Sequence, residues 1–314
     1  MQINSGVVVF AYHNIGIRGI ESLLKHKIKI YAVFTHRDKV GENIWFNSVS
    51  KFCLKKKIRY YFSDECDEKK IHEIISNFNE VSVIFSFYYR NIISKKILEL
   101  SKYGGINLHG SMLPKYRGRS PVNWQLINGE SNGGLTLHCM EEKADTGDIV
   151  DQEPCTILEN DNPLSLFSKL ENLVEPLIAR NIEKIISGKY SKIIQNNSIA
   201  SYFGGRKPED GLIDWSLSSE KIYNLVRGVT KPYPGAFTFL NNKKFIIWSL
   251  TKEDASKNKR HNTFGAFLNN NERLYVHTGD GVVRINSFNY DKKDYNTLKS
   301  FPYSLSKGVF KNLI

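Results

Sequence analysis

Through its first 140 residues the chain alternates short runs of Val, Ile and Phe with stretches of helical periodicity. That rhythm restricts the fold more than any other feature. Residues 7–10, 28–34, 81–87, 106–109 and 135–140 read as strands, and 16–26, 43–57 and 68–79 read as helices between them. Strands separated by helices return by crossovers, which builds βαβ units into a largely parallel sheet. In such a sheet ligands bind in the crevice beyond the carboxyl ends of the strands. The rule points to residues 11–14, 35–38, 88–93 and the segment after Asn107.

The expected architecture is α/β: a Rossmann-like, mostly parallel sheet with helices on both faces, followed by a smaller β-rich domain of open-barrel, OB-like type. A dinucleotide fingerprint is not part of it, since "HNIGIRGI" offers only Gly16 and Gly19. Residues 161–188 read as one long helix, capped by Asp161 or Asn162, followed by Gly188 and kinked at Pro176. A polar stretch at 189–205 then breaks the rhythm. Beyond it, short alternating runs at 236–240, 245–248, 274–277 and 282–288 are separated by Asn-Asn and Gly-Asp-Gly turns, the pattern of an antiparallel sheet or barrel. Two domains are expected, residues 1–205 and 206–314.

Composition narrows the partners. The net charge of +12 favours an anionic ligand such as nucleic acid, a membrane surface or a phosphorylated small molecule. The basic runs at 25–29 and 55–59 read as solvated helix ends or loops. Cys53, Cys66, Cys139 and Cys155 form no C-x-x-C pair or His/Cys cluster, so neither a disulfide framework nor a metal site is expected. No apolar run approaches the roughly 20 residues of a membrane span, and no signal peptide is read at the start. A cytoplasmic protein is expected.

The chemistry concentrates in "INLHGSMLPKYRGRSP", residues 106–121. Asn107 and His109 sit two apart, so a strand projects both to one face, while Ile106 and Leu108 take the other. Gly110 and Ser111 follow, then a proline and a basic loop holding Lys115, Arg117 and Arg119. Asp145 in "KADTGDIV" is a third candidate. A carboxylate beside an imidazole fixes its tautomer and supports general acid–base work, and the Asn amide is an oxyanion donor. Ser111 lacks the G-x-S-x-G elbow of a nucleophilic serine. The set favours transfer at a carbonyl without a metal or an enzyme nucleophile.

"NLHGSMLPKYRGRSPVNW", followed by Asp145 38 residues after Asn107, resembles the signature of N10-formyltetrahydrofolate-dependent formyltransferases. The spacing of Asn107, His109 and Asp145 matches that family's catalytic trio. "VVVFAYHNIGIRGIESLL", "YAVFTHRDKVGE" and "VIFSFYYRNII" look most like the formyltransferase acting on UDP-4-amino-4-deoxy-L-arabinose. "FGGRKPEDGLIDW" and "KPYPGAFTF" resemble its smaller β-rich part. The resemblance covers nearly the whole chain in separated blocks; at 314 residues the decarboxylase half that usually accompanies this activity is not expected.

The resemblance implies N10-formyltetrahydrofolate as formyl donor, contacted by Asn91, Ile92, Ile93, Arg119, Glu141, Glu142, Lys143, Ala144 and Asp145. It implies a UDP- or dTDP-linked amino sugar as acceptor, with Tyr12, Ser111, Lys115, Arg117 and Arg206 as contacts and the cationic groups placed for its phosphates. His109 handles the amine's proton, Asp145 adjusts it, and Asn107 stabilises the oxyanion. A homodimer is expected from the family. Methionyl-tRNA formyltransferase is the alternative, since +12 suits tRNA, but the N-terminal blocks favour the sugar enzymes and make nucleic acid a lesser expectation. Glycinamide ribonucleotide formyltransferase lacks a second domain of this kind. A non-catalytic folate- or nucleotide-sugar-binding protein would have no need of the whole trio. Which sugar is used, and whether its amine stands at position 4 or 3, the sequence leaves open.

Overall fold

The computed structural model describes residues 5–38, 41–253, 263–301 and 307–311. The chain divides into two compact units: Met1–Pro121, Asn132–Thr156 and Phe167–Gly204 form one, and Val122–Ser131, Ile157–Leu166 and Gly205–Ile314 form the other.

The first unit opens with β1 (Gly6–Ala11), α1 (His13–Lys25), β2 (Ile30–Thr35), α2 (Val49–Lys56), β3 (Tyr60–Phe62), α3 (Glu68–Ser76), β4 (Val81–Phe87), α4 (Lys95–Leu98) and β5 (Gly105–His109). After β6 (Arg117–Gly118) and α5 (Pro121–Ile127), which past Pro121 belongs to the second unit, come β7 (Asn132–Cys139), β8 (Ile149–Thr156), α6 (Pro163–Ala179), whose first four residues also belong to the second unit, α7 (Ile182–Ile186) and β9 (Tyr202–Phe203). Seven strands form one sheet in the order β3-β2-β1-β4-β5-β7-β8. The pairs from β3 to β5 are parallel; β5–β7 and β7–β8 are antiparallel. Every residue of β1 (GVVVFA) and β4 (VSVIFSF) is buried, as strands covered on both faces must be. From β1 the chain winds out to β3, then returns to lay β4 on the other side of β1. The strand order therefore reverses between β1 and β4, and the ligand crevice of such a sheet opens at their carboxyl ends, Ala11 and Phe87.

The expected strands of this unit are all present. β3 and β8 went unread because YYF is half-buried and IVDQEPCT carries no apolar run past Val150. α2 starts at Val49, capped by the Ser48 hydroxyl, so residues 43–48 form a loop rather than helix. The long helix at 161–188 is two helices. Pro176 lies inside α6 without an N–H for the ladder, and the break comes later, between Ala179 and Ile182.

The second unit holds α8 (Ser219–Val229), β10 (Ala236–Leu240), β11 (Lys243–Glu253), β12 (Ala266–Asn270), β13 (Arg273–His277), β14 (Val282–Tyr290), β15 (Lys293–Tyr295) and β16 (Lys307–Val309). Its sheet runs β10-β11-β14-β13-β12-β16, with β15 on β14, and every pair is antiparallel. Register shifts around Ser249 bend the long β11–β14 ribbon, as a curled half-barrel requires. Ile222 and Val226 of α8 join Trp215, Phe245, Ile247, Phe288 and Phe310 in its core. Among the described residues no helix is long and apolar enough to cross a membrane.

Candidate active site

β5 ends on Asn107 and His109, and both side chains reach one carboxylate, Asp145. Ile106 and Leu108 are buried on the opposite face, as strand alternation demands. Asp145 follows β7 in a tight turn at φ +58°, a left-handed conformation that Asp and Asn tolerate better than other non-glycine residues. Its Oδ2 accepts the Gly118 N–H at 2.8 Å, and its Oδ1 lies 3.4 Å from Asn107 Nδ2 and 3.5 Å from His109 Nδ1.

The Gly118 contact depends on the basic loop. β6 pairs in parallel with β9, Arg117 opposite Tyr202 and Gly118 opposite Phe203. At Gly118 φ is +96° and a Cβ would lie 2.3 Å from the Phe203 carbonyl oxygen, so no side chain fits there. Glycine is what lets the loop turn its N–H onto Asp145.

His109 is buried, and its Nε2 lies 2.8 Å from the Tyr116 carbonyl oxygen. A carbonyl only accepts, so Nε2 carries the hydrogen and the lone pair of the neutral ring sits on Nδ1, the nitrogen facing Asp145. Burial lowers the His109 pKa, while Asp145 and the Tyr116 carbonyl oppose that fall. For Asp145, burial opposes ionisation, but the charge His109 carries once protonated and the Gly118 N–H outweigh it and hold the carboxyl well below its usual range. The site is thus an ionised carboxylate facing a neutral imidazole that becomes charged only by taking up a proton.

His138 belongs to the same site and was not read from the sequence. Its Nδ1 donates to the Cys139 carbonyl at 2.8 Å, which leaves Nε2 to accept from Asn107 Nδ2 at 3.0 Å; the same Nε2 lies 3.4 Å from Asp145 Oδ1. The Asn107 amide is therefore oriented, with its nitrogen aimed at His138 and Asp145. β7 pairs antiparallel with β5, placing His138 directly opposite Asn107 and Thr136 opposite His109. Two polar residues at alternate positions in "LTLHC" were the available signal.

The cationic loop divides. Lys115 and Arg119 are exposed, whereas Arg117 is 2% exposed. Its Nε and Nη2 donate to Gln195 Oε1 at 3.0 and 2.7 Å, Nη2 to Asn197 Oδ1 at 2.9 Å, and Nη1 to the Tyr202 hydroxyl at 3.1 Å. Gln195 in turn donates to the carbonyls of Asp145 and Gly147 at 3.0 and 2.6 Å. The guanidinium expected at a phosphate instead braces the Asp145 turn through Gln195. Arg117→Met should lower stability by roughly 3 kcal/mol in denaturant titrations, since it strands buried acceptors. It should lower kcat while the KM for the acceptor stays put; a phosphate ligand would do the reverse.

Of the remaining expected contacts, Ser111 is fully buried and donates to the Lys115 carbonyl at 2.7 Å, a loop closure rather than a nucleophile's poise. Tyr12 is 2% exposed; its hydroxyl donates to Asp38 at 3.2 Å and Arg90 lies 4.4 Å over its ring. Burial, ahead of the opposing Arg90 charge, pushes its pKa up to about 12. Asn91 and Ile92 are exposed, Ile93 is buried, and Glu141, Glu142, Lys143 and Ala144 form an exposed rim leading to Asp145. Arg206 lies in the second unit, 4.7 Å over the Trp124 ring, and donates to the Asp210 carbonyl at 3.0 Å. The second unit also holds a cavity of about 360 Å³ lined by Tyr223, Arg227, Lys231, Trp248 and Asp294 among others, and none of the trio borders it.

Residues 7–182 match the family described as Formyl transferase, and residues 206–303 match the Formyl transferase C-terminal domain. The bifunctional polymyxin resistance protein ArnA of Wigglesworthia glossinidia brevipalpis is 46% identical over 243 residues, which is 77% of this chain and 37% of ArnA. The chain thus spans little more than a third of that relative's length. Among solved structures, WlaRD, a sugar 3N-formyl transferase determined in the presence of dTDP and 5-N-formyl-THF, shares 25% identity at a TM-score of 0.68, over 92% of this chain and 98% of that one. The N-formyltransferase from Helicobacter canadensis, in complex with folinic acid and dTDP-3-aminofucose, has the same fold at a TM-score of 0.67, 24% identity and coverage of 90% and 98%. The first family match alone takes in more than half of the residues, β1 to β8 and the whole Asn107–His109–Asp145 constellation with them, and so the chain belongs to the formyl transferase family.

Proposed function

We propose that this chain moves a formyl group from N10-formyltetrahydrofolate to the amine of a UDP- or dTDP-linked 4-amino sugar. The observation that carries the reading is the carboxylate-centred site, with Asp145 Oδ1 at 3.4 Å from Asn107 and 3.5 Å from His109. The Ser111 hydroxyl beside them is engaged by the loop's own backbone. The similarity to WlaRD, a sugar 3N-formyl transferase, supports a sugar acceptor over methionyl-tRNA. Residues 1–205 would carry the transfer and 206–314 the smaller β-rich domain, in a cytoplasmic homodimer.

The residues fit a formyl donor. Ile92, 73% exposed beside buried Ile93 at the carboxyl end of β4, offers an apolar face to a flat ring. Exposed Arg119 and the exposed rim from Glu141 to Ala144, which leads into Asp145, are candidate polar contacts. The bound donor supplies an electrophilic formyl carbon. An acceptor amine would form a C–N bond to that carbon, and the donor's own C–N bond would break only as the carbonyl re-forms. His109 takes the amine's proton at Nδ1, between the ring and Asp145, which holds the resulting charge. Asn107 turns its N–H from the 3.4 Å contact with Asp145 to the developing oxyanion. The proton then passes to the departing nitrogen of the donor.

The test is direct. The protein, N10-formyltetrahydrofolate and a panel of UDP- and dTDP-linked 4-amino and 3-amino sugars are incubated, and product masses are read. A gain of one formyl group on a 4-amino sugar is expected. Formylated Met-tRNA with every sugar unchanged would sink the reading.

A further inference from the structure

His13 stands where the ligand crevice of the sheet begins, directly after β1 and across the strand reversal from Tyr88 at the end of β4. The chain tolerates two unfavourable features there. His13 has φ +67°, outside the range most side chains prefer, and its ring is 6% exposed with neither Nδ1 nor Nε2 hydrogen-bonded among the described residues. Strain and an unmet buried polar group at one residue are the marks of a functional position rather than a packing one. Packing alone would favour Phe, because aromatic rings surround the imidazole: Phe46 at 4.4 Å, Trp45 at 4.6 Å, Phe167 at 4.7 Å and Tyr88 at 6.0 Å between centroids. Tyr88 ties this box to the reaction centre. Its hydroxyl lies against Gly110, the residue after His109, so closely that a Cβ there would be 2.0 Å away.

We propose that His13 is a specificity residue for the acceptor, giving one N–H and one nitrogen lone pair to adjacent hydroxyls of the pyranose ring within the aromatic box. Each sugar hydroxyl donates and accepts, so a neutral imidazole satisfies a neighbouring pair with the two groups it now leaves unmet. Aromatic walls suit the C–H faces of the same ring. Burial, reinforced by the nearby Arg90 charge, lowers the His13 pKa to about 3, so the ring stays neutral at working pH. The inference rests on the sugar reading above and names the residue that selects the sugar.

Calorimetric binding and steady-state kinetics on wild type and His13→Phe test it, with UDP-4-amino-4-deoxy-L-arabinose and a dTDP-linked 4-amino-6-deoxyhexose as probes. His13→Phe should weaken sugar binding and raise its KM by roughly 10- to 100-fold, the loss of a buried hydrogen-bonding pair. The KM for the formyl donor should not move, and Tm should rise by a few degrees as the unmet polar atoms disappear. His13→Gln, which keeps a donor and an acceptor, should recover most of the affinity. On a sugar lacking one ring hydroxyl the penalty should shrink. Should Phe fail to fold at this φ, His13→Asn tolerates it and, being too short to reach, should show the same loss. Sugar affinity within twofold of wild type in a folded variant, or a change in donor KM alone, would overturn this inference and leave the sugar reading standing. A wild type that binds no amino sugar would overturn both.

Discussion

Asp145→Asn should cut kcat/KM by roughly 10³- to 10⁴-fold while leaving the protein folded, judging by the cost of neutralising the carboxylate behind a catalytic histidine elsewhere. Asn has the same size and tolerates the φ of +58° at this position. Its Oδ1 still accepts the Gly118 N–H that Asp145 takes at 2.8 Å. The group left facing His109 Nδ1 is then an N–H donor. It occupies the lone pair that must receive the amine's proton, and it offers no charge to the imidazolium. Single-turnover rates should fall with kcat, because proton handling accompanies bond formation. Circular dichroism and Tm close to wild type, with turnover above a tenth of wild type, would remove Asp145 from the chemistry.

The parts of this fold legible in the sequence are those written in local periodicity. β1 and β4, buried on both faces, read as continuous apolar runs, and β10 was readable to the residue because two-residue alternation bounded by turn residues defines it. The half-buried edge strand β3 carries no such signal. The trio was legible because its spacing is distinctive, and strand alternation already placed Asn107 and His109 on one face. What stayed hidden depends on register across strands. His138 orients Asn107 only because β7 pairs with β5 so that the two residues oppose each other, and a sequence does not state its register. Arg117 has the opposite history. Its neighbours Lys115 and Arg119 face solvent, and only the parallel pairing of β6 with β9 turns it onto Gln195 and Asn197 from a segment more than seventy residues on. A cation in a loop reads the same in either case. Arrangement of the second unit was likewise hidden, since it draws in residues 122–131 and 157–166 from amid the first.

Acid should expose the His13 strain as a loss of stability that one substitution repairs. The folded-state pKa of about 3 stands below the ordinary value of 6.5. Between those values the unfolded chain binds a proton at His13 that the native protein refuses, so stability falls as pH falls from about 6.5 toward 3 and is fully present above 6.5. The slope is about 1.4 kcal/mol per pH unit, and the full span amounts to roughly 5 kcal/mol. Burial is the first cause, and the Arg90 charge adds to it. Arg90 is itself paired with Glu42, with a nitrogen–oxygen distance of 3.0 Å. His109, also lowered by burial, adds a parallel loss in wild type and variant alike, and Asp145, held ionised in the native protein, contributes only near the bottom of the range, where the unfolded chain's carboxyl takes up a proton. The difference between wild type and His13→Phe therefore isolates one ring. Urea unfolding of both proteins without ligand, at pH 7 and at pH 4.5, should show His13→Phe gaining roughly 3 kcal/mol relative to wild type on acidification. Equal pH slopes in the two proteins would mean that the imidazole is solvated or protonated in the native state, and the neutral, unmet histidine at the mouth of the crevice would go with it.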